Sequence, residues 1–203
     1  MGRHREAGKG EIRESIRGRL LKAAALEISA YGYEGAGIDS ISVSAGFGKG
    51  TIYNYFPTKR ALMEALLSDF AKRHLLHLES VVLAVSDPRD RFHAFFREGF
   101  AFVRQNLTCG RVLVATLYGP DQGFRGLLSR LYDPLFHLVA DRIVQPGIDA
   151  GLFRPVDTYG VAGLCMSVYL GTSAQIEDKG ELPLSPELVA DFLLASLEKK
   201  QRR

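Results

Sequence analysis

Apolar residues recur at helical spacing through the first part of the chain. Between residues 11 and 31 they fall three or four positions apart, on one face of an amphipathic helix: Ile16, Leu20, Leu21, Ala24, Ala25 and Ile28. Gly32 follows, and glycine is the commonest residue just beyond the end of a helix. The pattern therefore predicts a first helix that ends at Gly32.

Two short helices follow. Residues 38–44 predict the first of them, with apolar inward side chains: Ile38, Ile41 and Ala45. A tight turn at 45–47 leads to the second, at 48–56, which we call the reading helix. Pro57 ends it, and Thr58 is a suitable N-cap for a longer helix that begins at Lys59.

The rest of the chain also has the pattern of helices. We predict them at the following segments: 88–106, 109–118, 124–139, 159–175 and 185–199. Pro134 lies inside the third of these and is expected to kink or break it. No run alternates apolar and polar residues between hairpin turns, so the predicted fold class is all-α.

The composition is typical of a cytoplasmic globular protein. Hydrophobic residues make up 46% and charged residues 24% of the 203 positions, which is ordinary for a folded domain. No apolar run is long enough for a membrane helix, and the charged N-terminus lacks the apolar stretch of a signal peptide. Cys109 and Cys165 form no C-x-x-C motif, as expected in a reduced compartment. We therefore expect a cytoplasmic protein with no membrane partner.

Positive charge is concentrated in the first third of the chain. Residues 1–60 contain 10 Lys and Arg against 6 Asp and Glu, whereas the remaining positions contain 16 against 17. This asymmetry is expected of a head that meets a polyanion, joined to a body that does not. A basic tail alone would explain the charges before residue 10, but it would not explain Lys49, Lys59 and Arg60.

The reading helix has one apolar face and one polar face when it is drawn at about 100° per residue. Ile52 and Phe56 fall together and should anchor it to the first two helices. Gly50 and Asn54 fall on the opposite side. The small and polar outer face suits a DNA groove, because glycine lets the backbone approach the bases. The expected contacts on this face come from the following side chains: Lys49 to a guanine edge, Thr51 and Asn54 to base edges or phosphates, and Tyr53 and Tyr55 to phosphates.

Lys59 and Arg60 lie in the first turn of the next helix, where cations oppose the helix dipole at a cost of about 0.3–1 kcal/mol each. A DNA phosphate at this helix start would reverse that effect. The alternative is that both are solvated surface charges.

The stretch from Gly32 to Lys59 resembles the N-terminal signature of the TetR family of regulators, most closely in Ala45-Gly46-Phe47-Gly48-Lys49-Gly50-Thr51-Ile52-Tyr53-Asn54-Tyr55-Phe56. The resemblance covers about a quarter of the chain, residues 17–62. It implies a three-helix DNA-binding head with a helix-turn-helix, and a helical C-terminal body that binds an effector and dimerises. The implied DNA contacts are Lys49, Gly50, Thr51, Tyr53, Asn54, Tyr55 and Lys59, with phosphate contacts at Gly37 and Ile38.

The chain departs from the family pattern at three positions. Gly37 and Gly48 replace the usual Ser or Thr caps, which removes two hydroxyl groups from the expected phosphate contacts. Arg60 replaces the usual Glu and should increase non-specific DNA affinity. The expected domains are a flexible arm at 1–10, the DNA-binding head at 11–57, and the effector-binding and dimerisation body at 58–203.

Other chemistry has weaker support. Gly46 to Thr51 lacks the spacing of a nucleotide-binding phosphate loop. His74 and His77 share a helix face, but no third ligand is convincingly placed, so we expect no metal and no cofactor. No catalytic arrangement of side chains is recognisable, so an enzyme is not expected.

The effector cavity is expected between the helices of the body, as the resemblance implies. Its candidate lining residues are Phe92, Phe96, Phe100, Tyr118, Phe124, Tyr132, Phe136, Met166 and Tyr169. Such a lining favours an apolar effector, fatty-acyl or aromatic. The alternative reading of each of these side chains is ordinary core.

The last two predicted helices resemble the family's dimerisation pair. The candidate interface residues are Gly163, Ser167, Gly171, Leu188, Phe192 and Leu193. Packing within the chain is the alternative. A two-fold dimer would bind a pseudo-palindromic operator in double-stranded DNA. The sequence thus predicts a homodimeric, ligand-responsive regulator, in particular a repressor, and the competing hypothesis is a constitutive DNA-binding protein without an effector.

Overall fold

The computed structural model describes residues 2–177 and 179–199, with side chains from Gly10 onward. The elements in these residues are helical, and an isolated antiparallel bridge joins Phe153 to Glu198. The predicted all-α class is confirmed. The predicted flexible arm, residues 1–10, falls almost entirely on positions whose side chains lie outside the described part, and it stays a prediction.

The helices follow one another with short connections. The α-helices are α1 (Gly2–Gly35), α2 (Ile38–Ser44), α3 (Lys59–Leu83), α4 (Pro88–Gln105), α5 (Leu107–Leu117), α6 (Gln122–Val139), α7 (Gln145–Asp149), α8 (Thr158–Ala174) and α9 (Pro186–Leu197). The reading helix is a 3₁₀ helix at Lys49–Asn54, and a π-helical turn at Ala140–Val144 joins α6 to α7. The bounds of α2 are those predicted, and α4, α5, α8 and α9 differ from prediction by one or two residues at an end.

Side-chain caps explain where several helices begin. The Thr58 hydroxyl accepts a hydrogen bond of 3.0 Å from the backbone N–H of Ala61, as predicted for the start of α3. Ser185 caps α9 in the same way, with 3.1 Å to the N–H of Leu188. Asp121 caps α6 through the N–H of Phe124 at 2.9 Å. Each acceptor satisfies one of the free N–H groups of a first helical turn.

The apolar face of α1 forms the core of the head, as predicted. The side chains that it buries are Leu20, Leu21, Ala24, Ala25 and Ile28, with Ile16 half-buried. Gly32 interrupts α1 with a φ of 71°, a backbone conformation that glycine adopts without a steric cost, so the predicted end of the first helix is confirmed as a kink. Ile41 of α2 and Ile52 of the reading helix, both 0% exposed, complete this core.

The core of the head continues into the body. Leu62 and Met63 at the start of α3 are buried with the side chains of α1, and so are Val112 of α5 and Phe124 of α6. A second cluster fills the rest of the body from α3, α4, α6, α8 and α9, and it includes Phe92, Phe96 and Phe100. The start of α3 therefore belongs to the head core by its packing, and the expected boundary at residue 57 stays a prediction.

The helix α6 continues through Pro134, so of the predicted kink or break the break is wrong, and the kink stays a prediction. Six residues later the hydrogen-bonding pattern changes to the π-helical turn, and α7 begins with Pro146 in its first turn. A proline in a first turn is tolerated because that N–H has no partner within the helix. Among the described residues, no helix is both long and apolar enough to cross a lipid bilayer.

Candidate nucleic-acid interface and effector cavity

The reading helix is held on two buried side chains. Ile52 is 0% and Phe56 3% exposed, so both predicted anchors are confirmed. The predicted spacing of 100° per residue is wrong, because this element is a 3₁₀ helix with about three residues per turn. Positions three apart therefore lie on the same face of the helix, so Gly50 shares a face with Tyr53 and not with Asn54.

The outer face of the reading helix is accessible. Lys49, Gly50 and Asn54 are exposed, Tyr53 is 50% exposed, and Thr51 is half-buried. A Cβ added at Gly50 would meet nothing within 4 Å, so this side of the helix is open. A small, polar surface of this kind can approach a groove closely.

The turn before the reading helix is fixed by contacts from two other elements. Gly46 has a φ of 82°, which is the left-handed region that favours glycine. The buried Ser42 of α2 donates a hydrogen bond of 2.6 Å to the carbonyl oxygen of Gly48. Arg19 of α1 donates to the carbonyl oxygen of Ala45 at 2.7 Å and lies 4.5 Å from the ring centre of Phe47. These contacts determine the angle at which the reading helix leaves α2.

Tyr55 and Lys59 are half-buried and contact the chain itself. Tyr55 packs against the head core, with the Arg13 guanidinium 5.7 Å from its ring centre. The Lys59 ammonium donates a hydrogen bond of 2.8 Å to the carbonyl oxygen of Glu34 and lies 5.1 Å from the ring centre of Tyr33. Lys59 therefore fixes the end of α1 against α3, whereas Tyr55 packs against the part of α1 that carries Arg13.

Arg60 is placed differently from the expectation of a phosphate contact. Its guanidinium pairs with Glu64 at 3.0 Å and with Asp121 at 3.4 Å, and it lies 4.5 Å from the ring centre of Phe124. The carboxyl group of Asp121 has a lowered pKa, chiefly because the Phe124 backbone N–H donates to it, with a smaller effect from Arg60. Arg60 thus joins α3 to the start of α6, and this placement does not support its assignment to the DNA face.

Gly37 caps α2 with a φ of −90° and ψ of 121°, and no side chain accepts a hydrogen bond there. The first N–H groups of α2, near Ile38, are therefore not satisfied by a capping side chain. Ile38 itself is half-buried against the head core, as expected for its predicted inward position.

The predicted effector-lining residues do not enclose one cavity. Phe92, Phe96 and Phe100 are at most 1% exposed and pack against one another, with ring centres 5.4 and 6.0 Å apart along the series. They are part of the buried core of the body, and their assignment to an effector cavity stays a prediction. Tyr118 is 67% exposed, and Phe136 is half-buried against the body core.

A small void lies between α3, α5, α6 and α8. Its volume is about 20 Å³, and three of the predicted residues, Tyr132, Met166 and Tyr169, line it. His74 also lines it, and its ring nitrogens lie 2.9 Å from the Tyr169 hydroxyl and 3.3 Å from the Tyr132 hydroxyl. Burial lowers the pKa of His74 to about 3, with a smaller contribution from His77, so the imidazole is neutral at physiological pH.

A larger cleft of about 550 Å³ lies where the head meets the body, between α1, α3, α5 and the start of α6. Phe124, another predicted residue, is in its wall together with Ile28, Met63 and Val112. Tyr33 and Asp121 also border it, so the cleft adjoins the contacts of Lys59 and Arg60.

His74 and His77 do not share a metal-like geometry. His74 is enclosed by Tyr132, Tyr169 and Phe102, whose ring is stacked on it at 4.8 Å, whereas His77 lies 3.9 Å from Glu98. Within residues 2–177 and 179–199, no group of three His, Cys, Asp or Glu side chains is placed to hold a metal ion.

The predicted dimer residues lie on the outer faces of α8 and α9. Phe192 is 78% and Leu188 55% exposed on α9, and Leu164 of α8 is 63% exposed. A Cβ added at Gly163 or Gly171 would meet nothing within 4 Å, and Ser167 is exposed. Leu193 differs, because it is half-buried against the body core.

Sequence reasoning missed Arg19, His74 and Ser173. Arg19 is one of several basic residues on α1, and nothing in the sequence distinguishes it. The sequence pattern singles out His74 only as one of a pair with His77. The signal for its burial is its position two helical turns after Leu67, on the buried stripe of α3. Ser173 is buried in α8, and its hydroxyl has no hydrogen-bond partner among the described residues.

Comparisons of the chain with known proteins agree with this geometry. Residues 20–66 match the family model described as bacterial regulatory proteins, tetR family. The HTH-type transcriptional regulator YdgC of Bacillus subtilis is 42% identical over 67 residues, which is 33% of this chain and 34% of that protein. The HTH-type transcriptional repressor KstR2 of Mycobacterium tuberculosis is 25% identical over 151 residues, 70% of each chain.

Solved structures share the fold over almost the whole chain. The fatty acid degradation regulator FadR from Bacillus halodurans superposes with a TM-score of 0.81 at 19% identity, covering 91% of this chain and 97% of that one. FadR from Bacillus subtilis in complex with stearoyl-CoA superposes with a TM-score of 0.77 at 17% identity, covering 89% of this chain and 98% of that one. AibR in complex with isovaleryl coenzyme A and operator DNA gives 0.71 at 20% identity, with 90% and 98% covered.

Proposed function

Since this chain is a transcriptional regulator of the TetR family, we propose that it is a homodimeric repressor that binds a pseudo-palindromic operator and is released by an apolar acyl effector. Regulators of this family are DNA-binding proteins and not enzymes. The observation that carries the proposal is the reading helix, which presents a small, polar, exposed face while Ile52 and Phe56 hold it to a buried core. We place its action in the cytoplasm, where the operator lies.

The proposed DNA face has two parts. Lys49, Thr51, Tyr53 and Asn54 of the reading helix contact base edges and nearby phosphates, and Gly50 allows close approach of the backbone. Phosphates are bound by the N–H groups near Gly37 and Ile38, and by the flanking Tyr55 and Lys59 where their hydroxyl and ammonium groups reach the surface. We leave Arg60 out of this face, because Glu64 and Asp121 already pair with it.

The proposed dimer forms through α8 and α9. Leu188 and Phe192 of α9 and Leu164 of α8 are exposed apolar side chains that a partner would cover. The open positions above Gly163 and Gly171 allow a helix of the partner to approach closely. A two-fold dimer of this type carries two reading helices to half-sites about one DNA turn or more apart.

The proposed effector site is the void lined by Tyr132, Met166 and Tyr169. It is the internal space between body helices to which the predicted residues contribute most. An acyl effector is supported by two proteins of the same fold that were solved with stearoyl-CoA and isovaleryl coenzyme A. Since the void is only about 20 Å³, the effector must move helices apart when it enters.

The helix α6 is the proposed route from effector to DNA. Its middle carries Tyr132 at the void, and its start carries Asp121 and Phe124. Asp121 contacts Arg60 at 3.4 Å, and the Phe124 ring lies 5.0 Å from that of Tyr33 at the end of α1. Movement of α6 by an effector would therefore displace the head, and with it the spacing of the two reading helices.

Selection of bound fragments from a random double-stranded DNA pool tests this function. The full chain should enrich a pseudo-palindromic site, and a straight-chain acyl-CoA such as palmitoyl-CoA should weaken binding to that site. Enrichment without any response to acyl-CoA esters of different lengths would favour the competing hypothesis of a constitutive DNA-binding protein. Failure to enrich any sequence at low salt would contradict the proposed reading head.

A further inference from the structure

A cluster of hydrogen-bonding side chains lies inside the apolar core of the body. It is formed by His74 of α3, Tyr132 of α6, and Tyr169 and Ser173 of α8, all of which line the void. His74 and Tyr169 are each 2% exposed and Ser173 is 8% exposed. Tyr132 is less buried along its ring, but burial raises the pKa of its hydroxyl as it does that of Tyr169.

Not every hydroxyl hydrogen in this cluster has an acceptor in good hydrogen-bond geometry. A neutral imidazole has one N–H donor and one acceptor nitrogen. His74 can therefore donate to one tyrosine oxygen and accept from the hydroxyl of the other, whichever tautomer is present. The O–H of the tyrosine that accepts from His74 then makes no hydrogen bond of good geometry within the cluster. The Ser173 hydroxyl also makes no hydrogen bond of good geometry among the described residues, although it lies near enough to the Tyr169 hydroxyl, one helical turn away, to act on its pKa.

Buried hydroxyl groups without an acceptor are uncommon, because each costs free energy that a partner would recover. Two such donors at one void, with no acceptor between them, are complementary to an oxygen atom that has two lone pairs. A carbonyl oxygen has this property and fits in a small space.

We propose that this cluster recognises a neutral carbonyl oxygen of the effector, as found in a thioester or a ketone, through the hydroxyl groups of Ser173 and one of the two tyrosines. The proposal rests on the proposed function in placing the effector in this void. It goes further in naming the chemical group that is recognised and the side chains that select it.

The surroundings favour a neutral carbonyl over a carboxylate. A buried carboxylate requires a cation or several strong donors to offset its desolvation. The imidazole of His74 is neutral, and Arg73, whose charge acts to lower the pKa of Tyr132, hydrogen-bonds Asp69 at 2.9 Å and Asn106 at 3.1 Å.

Gly99 explains how the cluster is positioned. A Cβ at this position of α4 would lie 2.7 Å from Cε2 and 3.0 Å from the hydroxyl oxygen of Tyr169. Glycine therefore allows the tyrosine hydroxyl to lie close to α4 and reach His74. The Tyr169 ring is also stacked on Phe100 at 5.0 Å, which restricts its movement.

Calorimetric titration of the full chain with three ligands tests the proposal. Palmitoyl-CoA has the carbonyl, S-hexadecyl-CoA has a methylene in its place, and 2-heptadecanone has a carbonyl without coenzyme A. The thioester should bind about tenfold more tightly than the thioether, since the two proposed hydrogen bonds together are worth at least about that factor. Binding of the ketone would show that the carbonyl is sufficient, and a requirement for coenzyme A would identify the thioester as the source.

Matched variants separate recognition from folding. Ser173→Ala combined with Tyr132→Phe, or with Tyr169→Phe, should in one of the two pairs reduce the tenfold preference to near one. Ser80→Ala, which removes an exposed hydroxyl on α3, should retain it. Ser173→Ala alone should not lower the unfolding midpoint, because its hydroxyl has no partner. Equal affinity of thioester and thioether for the native chain, or an unchanged preference in both double variants, would overturn the proposal. Tighter binding of palmitate than of the ketone would overturn its neutral character.

A second measurement decides the proposal even if no acyl compound binds, an outcome that would contradict only the proposed effector class. Met166→Ala enlarges the void, and acetophenone and α-methylstyrene are probes of the same shape that differ in C=O against C=CH₂. Acetophenone should bind about tenfold more tightly, with a lowered carbonyl stretching frequency that rises again when Ser173→Ala is added. Equal binding of the two probes would overturn the proposal. Leu113→Ala, which removes another lining side chain, replaces Met166→Ala if that variant does not fold.

Discussion

Arg19 of α1 donates a hydrogen bond of 2.7 Å from Nη2 to the carbonyl oxygen of Ala45, across the tight turn between α2 and the reading helix. The same guanidinium lies 4.5 Å from the ring centre of Phe47, so one side chain contacts both ends of the turn. The orientation of the reading helix therefore depends on a residue that lies on another helix and outside the proposed DNA face.

We expect Gly46→Ala to destabilise the head. The substitution adds about 1–2 kcal/mol of backbone strain at a φ of 82°, and its Cβ would lie 2.7 Å from Nη2 of Arg19. The free energy of unfolding, measured with a chemical denaturant, and the affinity for the operator should both decrease. The same two decreases are expected for Arg19→Ala. Gly18→Ala is the control, because nothing lies within 4 Å of its Cβ and alanine stabilises a helix by about 0.5–1 kcal/mol relative to glycine. A Gly46→Ala variant with the same free energy of unfolding as the native chain would contradict this role of the turn.

Replacement of Lys49 should affect the recognition of bases. Lys49→Ala should weaken binding to the selected operator by about 1–3 kcal/mol and relax the preference at one position of each half-site, because its exposed ammonium lies at the start of the reading helix. Fluorescence anisotropy with the operator and single-base variants measures both effects. Lys22→Ala is a matched control, since Lys22 borders a cleft between α1, α3 and α5. An unchanged base preference in Lys49→Ala would exclude this contact.

Because Arg60 already has partners within the chain, we expect its replacement by alanine to have little effect on DNA affinity. A phosphate contact would contribute about 0.9 to the slope of log affinity against log salt. Because Arg60 pairs with Asp121 and Glu64, we expect Arg60→Ala to leave this slope unchanged and to lower stability by less than about 1 kcal/mol. A titration series at increasing salt measures the slope. A decrease close to the full value would restore Arg60 to the DNA face.

His74 should make the native state sensitive to acid. Its pKa is lowered from 6.5 to about 3 in the folded chain, so the unfolded chain binds the proton more readily and stability falls as the pH decreases from 6.5 toward 3. Between pH 7 and pH 5 this group alone accounts for a loss of about 2 kcal/mol. The free energy of unfolding of His74→Gln should not show this loss between pH 7 and pH 5. The control His137→Gln, which alters a histidine on the surface of α6, should still show it. Equal pH dependence of the native chain and His74→Gln would contradict the burial argument.

Charge on the outer face of α9 should dissociate the proposed dimer. Phe192→Glu combined with Leu188→Glu should give a folded monomer with much weaker operator binding, because both side chains are mostly exposed within one chain. Light scattering after gel filtration measures the mass. Leu76→Glu, which alters a 56% exposed leucine of α3, should remain dimeric. A dimeric double variant would place the interface elsewhere.

Local features were predictable because they depend on neighbours along the chain. The apolar period of α1, the glycine after Tyr31, the Thr58 and Ser185 caps, and the buried Ile52 and Phe56 all followed from spacing and residue type. The 3₁₀ geometry of the reading helix did not follow, because the positions of its anchors fit either helix type to within one residue.

The tertiary structure decided which side chains meet. Arg60 and Asp121 are 61 positions apart, and His74 and Tyr169 are 95 positions apart, so no periodicity in the sequence relates them. Packing also decided that Phe92, Phe96 and Phe100 fill the core while Tyr132 and Tyr169 border a void, although all five are aromatic residues on amphipathic helices. The sequence by itself determined the helices and the DNA-reading motif, because both depend on short-range patterns. Only the folded chain determined the polar cluster and the link between head and body, because these depend on contacts between distant segments.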